Sequence, residues 1–371
     1  MAGNRLKSLD ALRGADMLFI MGFGTLLTAV CSALGCGDCW LVRQLSHCTW
    51  DGLHFEDTIF PLFLFIAGVT FPYSYAKSRE AGKGAGAVVR KIIGRAVILF
   101  ALGLVYNGIL QKGPDDVVWG SVLGRIGIAW AAAALVYLAL PSARGRIVLA
   151  AGILLGYWAL LRLVGAPDHP DAFPLSPEGN LSGYLDRLLL PGRLTRPGLL
   201  SNQGTLSTLP AVVTAMLGML VGDYMRNSQQ AEGRKTAVLI GVAAALAAAG
   251  LLVAFGFGTW SMPLNKILWS SSFVLVVGGY SVAAFAVFHW IIDVRGYDGW
   301  TYFFRVIGMN SIAIYLLQKA VDVRKISEFF LGGVAGCVPS AWSGVVLAAG
   351  YVVFCWLVLR FLDRHKVYFK V

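Results

Sequence analysis

A chain of 371 residues with 57% hydrophobic and only 14% charged side chains is no soluble globular domain, where about 25% charged residues is usual. The mean hydropathy of +0.69 says the same. The net charge of +11 does not imply nucleic acid, because Lys and Arg gather in the cytoplasmic loops of membrane proteins. An outer-membrane barrel is excluded too, since runs such as AVLIGVAAALAAAGLLVAFGF lack its alternation of apolar and polar residues.

Apolar runs near the roughly 20 residues needed to cross a bilayer recur along the whole chain. The first is expected at about 14–34. Arg5, Lys7, Asp10 and Arg13 precede it, but it is too long for a signal-peptide core and ends without a small-residue cleavage site. Asp10 and Arg13 are three apart and read equally as an ion pair or as ligand-binding groups. Asp16 lies deeper, where an acid usually faces a cavity or a partner.

An outer loop at 35–56 follows. It carries Cys36, Cys39 and Cys48, and Cys337 falls in the last outer loop. A zinc site would want a second Cys pair, so no metal is expected and a disulfide is the favoured reading. Cys31 and Cys355 fall in apolar helices and read as ordinary buried thiols. His54, His169 and His365 read as solvated side chains, and His289 as an interfacial cap. His47 has more company: Trp50 lies one turn on and Asp57 opens the next helix. A neutral imidazole is the usual protein base near pH 7.

Further spans are expected at about 57–76, 92–110, 119–140, 147–165, 204–222, 236–257, 269–292, 302–321 and 342–362. Lys77, Arg79, Lys83, Arg90, Lys91 and Arg95 follow the second span, and Arg125 lies within the fourth. The loop at 166–203, rich in Pro, Gly and Asp, is too polar to insert. Asn265 and Lys266 mark a short outer turn, where interface anchoring is the plain explanation. Asn310, Ser311, Tyr315 and Gln318 fall in the ninth span and could simply join helices by hydrogen bonds. The last outer loop is expected at 322–341. Most basic residues then fall on one side, which puts both termini in the cytoplasm. The expected fold is all-α: a polytopic integral membrane protein of about ten transmembrane helices, forming one domain over 1–371.

Six blocks also occur in a characteristic order: RLKSLDALRG, HCTWDGLHFEDTIFPLFLFIAGV, GRIGIAW, GTLSTLPAVVTAMLG, PLNKILWSSSFVL and VIGMNSIAIYL. In this the chain resembles the heparan-α-glucosaminide N-acetyltransferase family, most closely its bacterial NagX-like branch. The resemblance spans residue 5 to about 320. It implies a transmembrane acyltransferase that takes acetyl groups from cytoplasmic acetyl-CoA, used as a co-substrate, and passes them to an amino sugar or related glycan on the far side. It places the active-site histidine at His47 and the following acid at Asp57, and it brings Trp50, Asn265, Lys266, Asn310, Ser311 and Tyr315 to the substrate. Gln318 stands where lysosomal members carry a histidine, and Met21-Gly22-Phe23-Gly24 where they carry a late polar Asn. Arg13, Arg90, Lys91 and Arg95 are the cations suited to CoA phosphates. The partners are then a small amino-sugar acceptor and the lipid bilayer, with no nucleic acid. A homodimer is left open, and the location is a bacterial inner membrane. The alternative is a carrier of N-acetylglucosamine or a related sugar, although paired broken helices in matching halves, the mark of repeat-built carriers, are not evident.

Overall fold

The computed structural model describes residues 6–369. A chain destined for lipid must satisfy its backbone groups internally, and among the described residues it does so with helices, plus three isolated backbone bridges. Helix α1 (Lys7–Leu18) passes through a π-helical turn at Phe19–Phe23 into α2 (Gly24–Ala33). Then come α3 (Trp40–Gln44), α4 (Glu56–Glu80), α5 (Ala85–Tyr106), α6 (Ile109–Lys112), α7 (Val122–Ala139) and α8 (Ala143–Leu163). They are followed by α9 (Leu181–Leu189), α10 (Thr208–Asn227), α11 (Glu232–Phe255) and α12 (Ser271–His289), which runs on through a second π-helical turn at Trp290–Val294. The last four are α13 (Thr301–Met309), α14 (Ser311–Ala320), α15 (Val323–Cys337) and α16 (Ser340–Arg364).

Eight helical stretches among the described residues are long and apolar enough to cross a membrane. Two further expected spans have helices but differ in character. The first, α5, carries Arg90, Lys91 and Arg95, and the expected ninth span is two short helices broken at Asn310.

The chain divides into two compact units. The first comprises residues 6–48, 54–59 and 284–369. Its α1 and α13 cross closely: a Cβ on Gly14 would strike the Phe304 carbonyl, and one on Gly308 the Asp10 carbonyl. Met17, Leu18, Met21, Val306, Ile307 and Val352 form its apolar core. The segment 322–341, expected as a loop, is mostly helix. Val323, Ser327, Leu331 and Ala335 recur every fourth residue and so share one face. Ser327 and Leu331 from this face meet Gly350 of α16, and Ser327 Oγ donates to the Leu347 carbonyl at 2.8 Å.

The second unit comprises residues 49–53 and 60–283. Here α4 and α10 pack through Gly68, Gly218 and Gly222, where any Cβ would meet backbone carbonyls of the opposite helix. Small residues of this kind let helices approach where no hydrophobic force drives them together. A buried ion pair joins α8 to α10: Arg146 Nη2 lies 2.6 Å from Asp223 Oδ2, and the Tyr137 hydroxyl of α7 donates to Asp223 Oδ1 at 2.5 Å. The 166–203 segment folds onto its own unit around Asp186. That buried carboxylate accepts the backbone N–H of Ser201 and both the N–H and hydroxyl of Thr205. Burial nevertheless pushes the Asp186 carboxyl above its usual range, a rise that these hydrogen bonds oppose.

Candidate functional site

In the first unit the decisive residue is Asp57, in the first turn of α4, where a negative charge suits the helix dipole. Its carboxylate turns back over the preceding loop. Oδ2 accepts the backbone N–H of Cys48 at 3.2 Å and of His54 at 3.1 Å, and Oδ1 lies 3.0 Å from His47 Nδ1. The Asp57 side chain is 1% exposed and that of His47 is 59% exposed. A carboxylate only accepts, so Nδ1 carries the proton and Nε2 becomes the basic nitrogen. The loop is held at two further points: the Phe55 N–H donates to Gln44 Oε1 at 3.0 Å, and His54 Nδ1 is 2.8 Å from the Ser46 carbonyl. Cys48, His54 and Asp57 also place potential metal-ligand atoms within 4.8 Å of one another. The Asp57 oxygens, however, already accept three hydrogen bonds, which disfavours a cation there.

In the second unit, Asn265 organises the turn before α12. Its Nδ2 donates to Asp51 Oδ1 at 3.1 Å, and its Oδ1 accepts the Leu268 N–H at 2.8 Å. The Gly52 N–H adds a bond to the Leu264 carbonyl at 2.8 Å. Burial raises the Asp51 carboxyl above its ordinary value, and the Asn265 hydrogen bond partly offsets this. Lys266 is half-buried in the same turn. Trp269 sits at φ +52°, a left-handed conformation that is uncommon for a bulky residue and typical of strained functional turns. Trp50 donates from Nε1 to the Leu175 carbonyl at 2.9 Å and lies under the Arg196 guanidinium.

Arg125 of α7 lies near this turn, with its guanidinium 5.1 Å from the Trp269 ring centre. It is 2% exposed and donates from Nη2 to Ser207 Oγ at 2.5 Å. Its Nε and Nη1 lack hydrogen-bond partners among the described residues. The sequence marked Arg125 as a charge in an apolar span without assigning it to a site. The sequence singled out neither Asp51 nor Asp186, because acids in polar loops read as solvated, and no local pattern links Asp51 to Asn265, 214 positions away.

The remaining expected site residues lie in one or the other unit. Asn310 is fully buried, and both ends of its amide hold the C-terminal segment: Nδ2 donates to the Val367 carbonyl at 3.0 Å and Oδ1 accepts the Phe369 N–H at 3.1 Å. Ser311 is buried beside it at the start of α14, and Tyr315 packs on the first unit's core. Gln318 Nε2 donates to the Tyr351 hydroxyl at 2.8 Å and to the Ile20 carbonyl at 3.4 Å, beside the helix break at Gly22. Asp16 is buried, and its Oδ2 has no partner among the described residues. Of the four cations, Arg13 lies 3.8 Å from Asp10 in the first unit. In the second unit, Arg90 and Lys91 are exposed on α5, while Arg95 turns onto the Trp130 ring at 4.2 Å.

No family model matches the chain. Among curated proteins it is similar to heparan-alpha-glucosaminide N-acetyltransferase of Homo sapiens, at 27% identity over 99% of this chain and 60% of that protein. It is similar also to the Mus musculus protein of the same name, at 25% identity over 100% of this chain and 61% of the relative. The chain therefore spans about 60% of the length of the curated relatives it matches.

Proposed function

We propose that this chain is a membrane acetyltransferase that moves an acetyl group from acetyl-CoA to the amino group of an amino sugar or related glycan. The observation that carries the reading is the buried Asp57 carboxylate against His47 Nδ1, an arrangement that prepares Nε2 to take a proton. Similarity to two N-acetyltransferases supports it.

The acceptor amine attacks the thioester carbon, the carbon–sulfur bond breaks, and the thiolate of CoA leaves. His47 Nε2 takes the proton that the amine loses, while Asp57 stabilises the imidazolium and fixes its orientation. In a two-step variant His47 first accepts the acetyl group itself. The resemblance further implies Asn310 or Asn265 as hydrogen-bond donors to the developing oxyanion, with Trp50, Lys266, Ser311 and Tyr315 at the acceptor. Arg90 and Lys91, with Arg13 and Arg95, would meet the phosphates of CoA. Both termini would lie in the cytoplasm and His47 at the outer mouth of α4, in a bacterial inner membrane.

Proteoliposomes with acetyl-CoA inside and glucosamine outside test the reading. Acetylated sugar is expected outside, and His47→Ala should abolish it. Uptake of unmodified sugar without acetyl-CoA, and no acetylation, would establish a carrier instead.

A further inference from the structure

The three cysteines at the end of α2 form a cluster that the acetyl-transfer reading does not use. Helix α2 closes through Gly35, whose φ of +77° needs no Cβ. The Gly35 N–H bonds to the Ser32 carbonyl at 3.0 Å and the Cys36 N–H to the Cys31 carbonyl at 2.9 Å. That turn folds Cys36 back over Cys31, so that Cys36 Sγ also reaches the Cys31 carbonyl at 3.2 Å. A second turn, with the Cys39 N–H bonded to the Cys36 carbonyl at 3.1 Å, returns Cys39 to the same place. The three sulfur atoms lie within 4.8 Å of one another.

Three thiolates around one ion at about 2.3 Å stand roughly 3.8–4.0 Å apart, a spacing the cluster can reach with small side-chain movements. One disulfide would use two of these sulfurs and leave the third gathered for nothing. Sulfur-only donors select soft ions over magnesium or calcium. Cys31 is buried, Cys39 half-buried and Cys36 exposed, so an ion can enter from the Cys36 side and keep an open position there. Sequence spacing hid the set because Cys31 counted as part of a membrane helix.

We propose that Cys31, Cys36 and Cys39 form a trithiolate site for a thiophilic d10 cation, Zn²⁺ or Cu⁺. The site lies in the first unit. It anchors the start of α3, whose Gln44 receives the Phe55 N–H. A bound ion therefore braces the segment that leads to His47.

The test uses the full chain in detergent, reduced, stripped of metal, and titrated with Zn²⁺ against a chromophoric chelator or with Cu⁺ under anaerobic conditions. One ion per chain is expected, with a rise in melting temperature, and Co²⁺ in place of Zn²⁺ should show sulfur-to-metal charge-transfer bands. Cys36→Ser and Cys39→Ser, both at accessible positions, should each weaken binding by on the order of 10–100-fold or more. Cys337→Ser should leave it unchanged. The arm that saturates at the lower free concentration identifies the ion. The proposal is overturned if the wild type takes up no stoichiometric ion, if the Ser variants bind as it does, or if intact mass shows a disulfide within the trio that persists under the reducing conditions.

Discussion

His47 Nδ1 lies 3.0 Å from Asp57 Oδ1, and the same carboxylate holds the backbone N–H groups of Cys48 and His54 through its other oxygen. Asp57→Asn must turn an NH₂ toward one of these two sets of partners. If the NH₂ faces His47, it favours the wrong tautomer; if it faces the loop, it opposes two N–H donors. Acetyl transfer by Asp57→Asn is expected to fall by roughly 10²–10⁴-fold, with binding of acetyl-CoA retained. Turnover near wild type, in a variant with an unchanged melting temperature, would remove Asp57 from the mechanism.

Asn265→Ala should show a pH-dependent loss of stability. Asp51 has a folded pKa raised above its unfolded value, so its ionisation opposes folding at any pH above that range. The Asn265 donor reduces this penalty, and its removal pushes the carboxyl further up. The deficit against wild type should therefore be largest near neutral pH and shrink as the pH falls through the Asp51 titration, where the group binds a proton in both states. A constant part, from the lost acceptor of the Leu268 N–H, remains. Thermal unfolding from neutral to mildly acid pH checks both parts.

The break in the first membrane helix gives a stability prediction. Gly22 has φ +103°, and a Cβ there would meet the Tyr351 ring. Gly22→Ala is expected to cost about 1–2 kcal/mol from the left-handed backbone alone, plus the displacement of that ring. Gln318→Ala removes the donor to the Ile20 carbonyl and the Tyr351 hydroxyl, at a cost of about 1–3 kcal/mol. The two changes share Tyr351, so the double variant should lose less than their sum, as a double-mutant unfolding cycle would reveal.

Arg146 and Asp223 are buried as a pair, with side chains 5% and 13% exposed. Removing one partner leaves an uncompensated charge, so Arg146→Met or Asp223→Asn should each destabilise by about 3–5 kcal/mol. Tyr137→Phe, which deletes only the hydroxyl bonded to Asp223, should cost far less. Equal losses from all three would mean that packing, rather than charge, governs this junction.

Apolar runs revealed most helices because length and composition decide what can cross a bilayer. The break at Gly22 was hidden, since Met-Gly-Phe-Gly reads as an unbroken apolar stretch and only the backbone angle shows the turn. In α15 the charges of Arg324, Lys325 and Glu328 obscured a four-residue repeat that needs α16 to be meaningful. His47 and Asp57 are ten residues apart; the sequence set the acid at the head of the next helix, but no local pattern could show its carboxylate turning back to His47 Nδ1. Asn310 was legible as an unusual buried amide, but its partners lie 57 and 59 positions away and no local pattern could name them.

That long-range tie has a practical consequence. The junction between α13 and α14 is latched by residues at the far end of the chain, so trimming after Asp363 would also alter the middle of an apparently remote helix pair. Purification handles fused behind Val371, two residues past this latch, risk the same disturbance. An inactive truncated or tagged preparation would then report a sprung latch rather than a missing catalytic group.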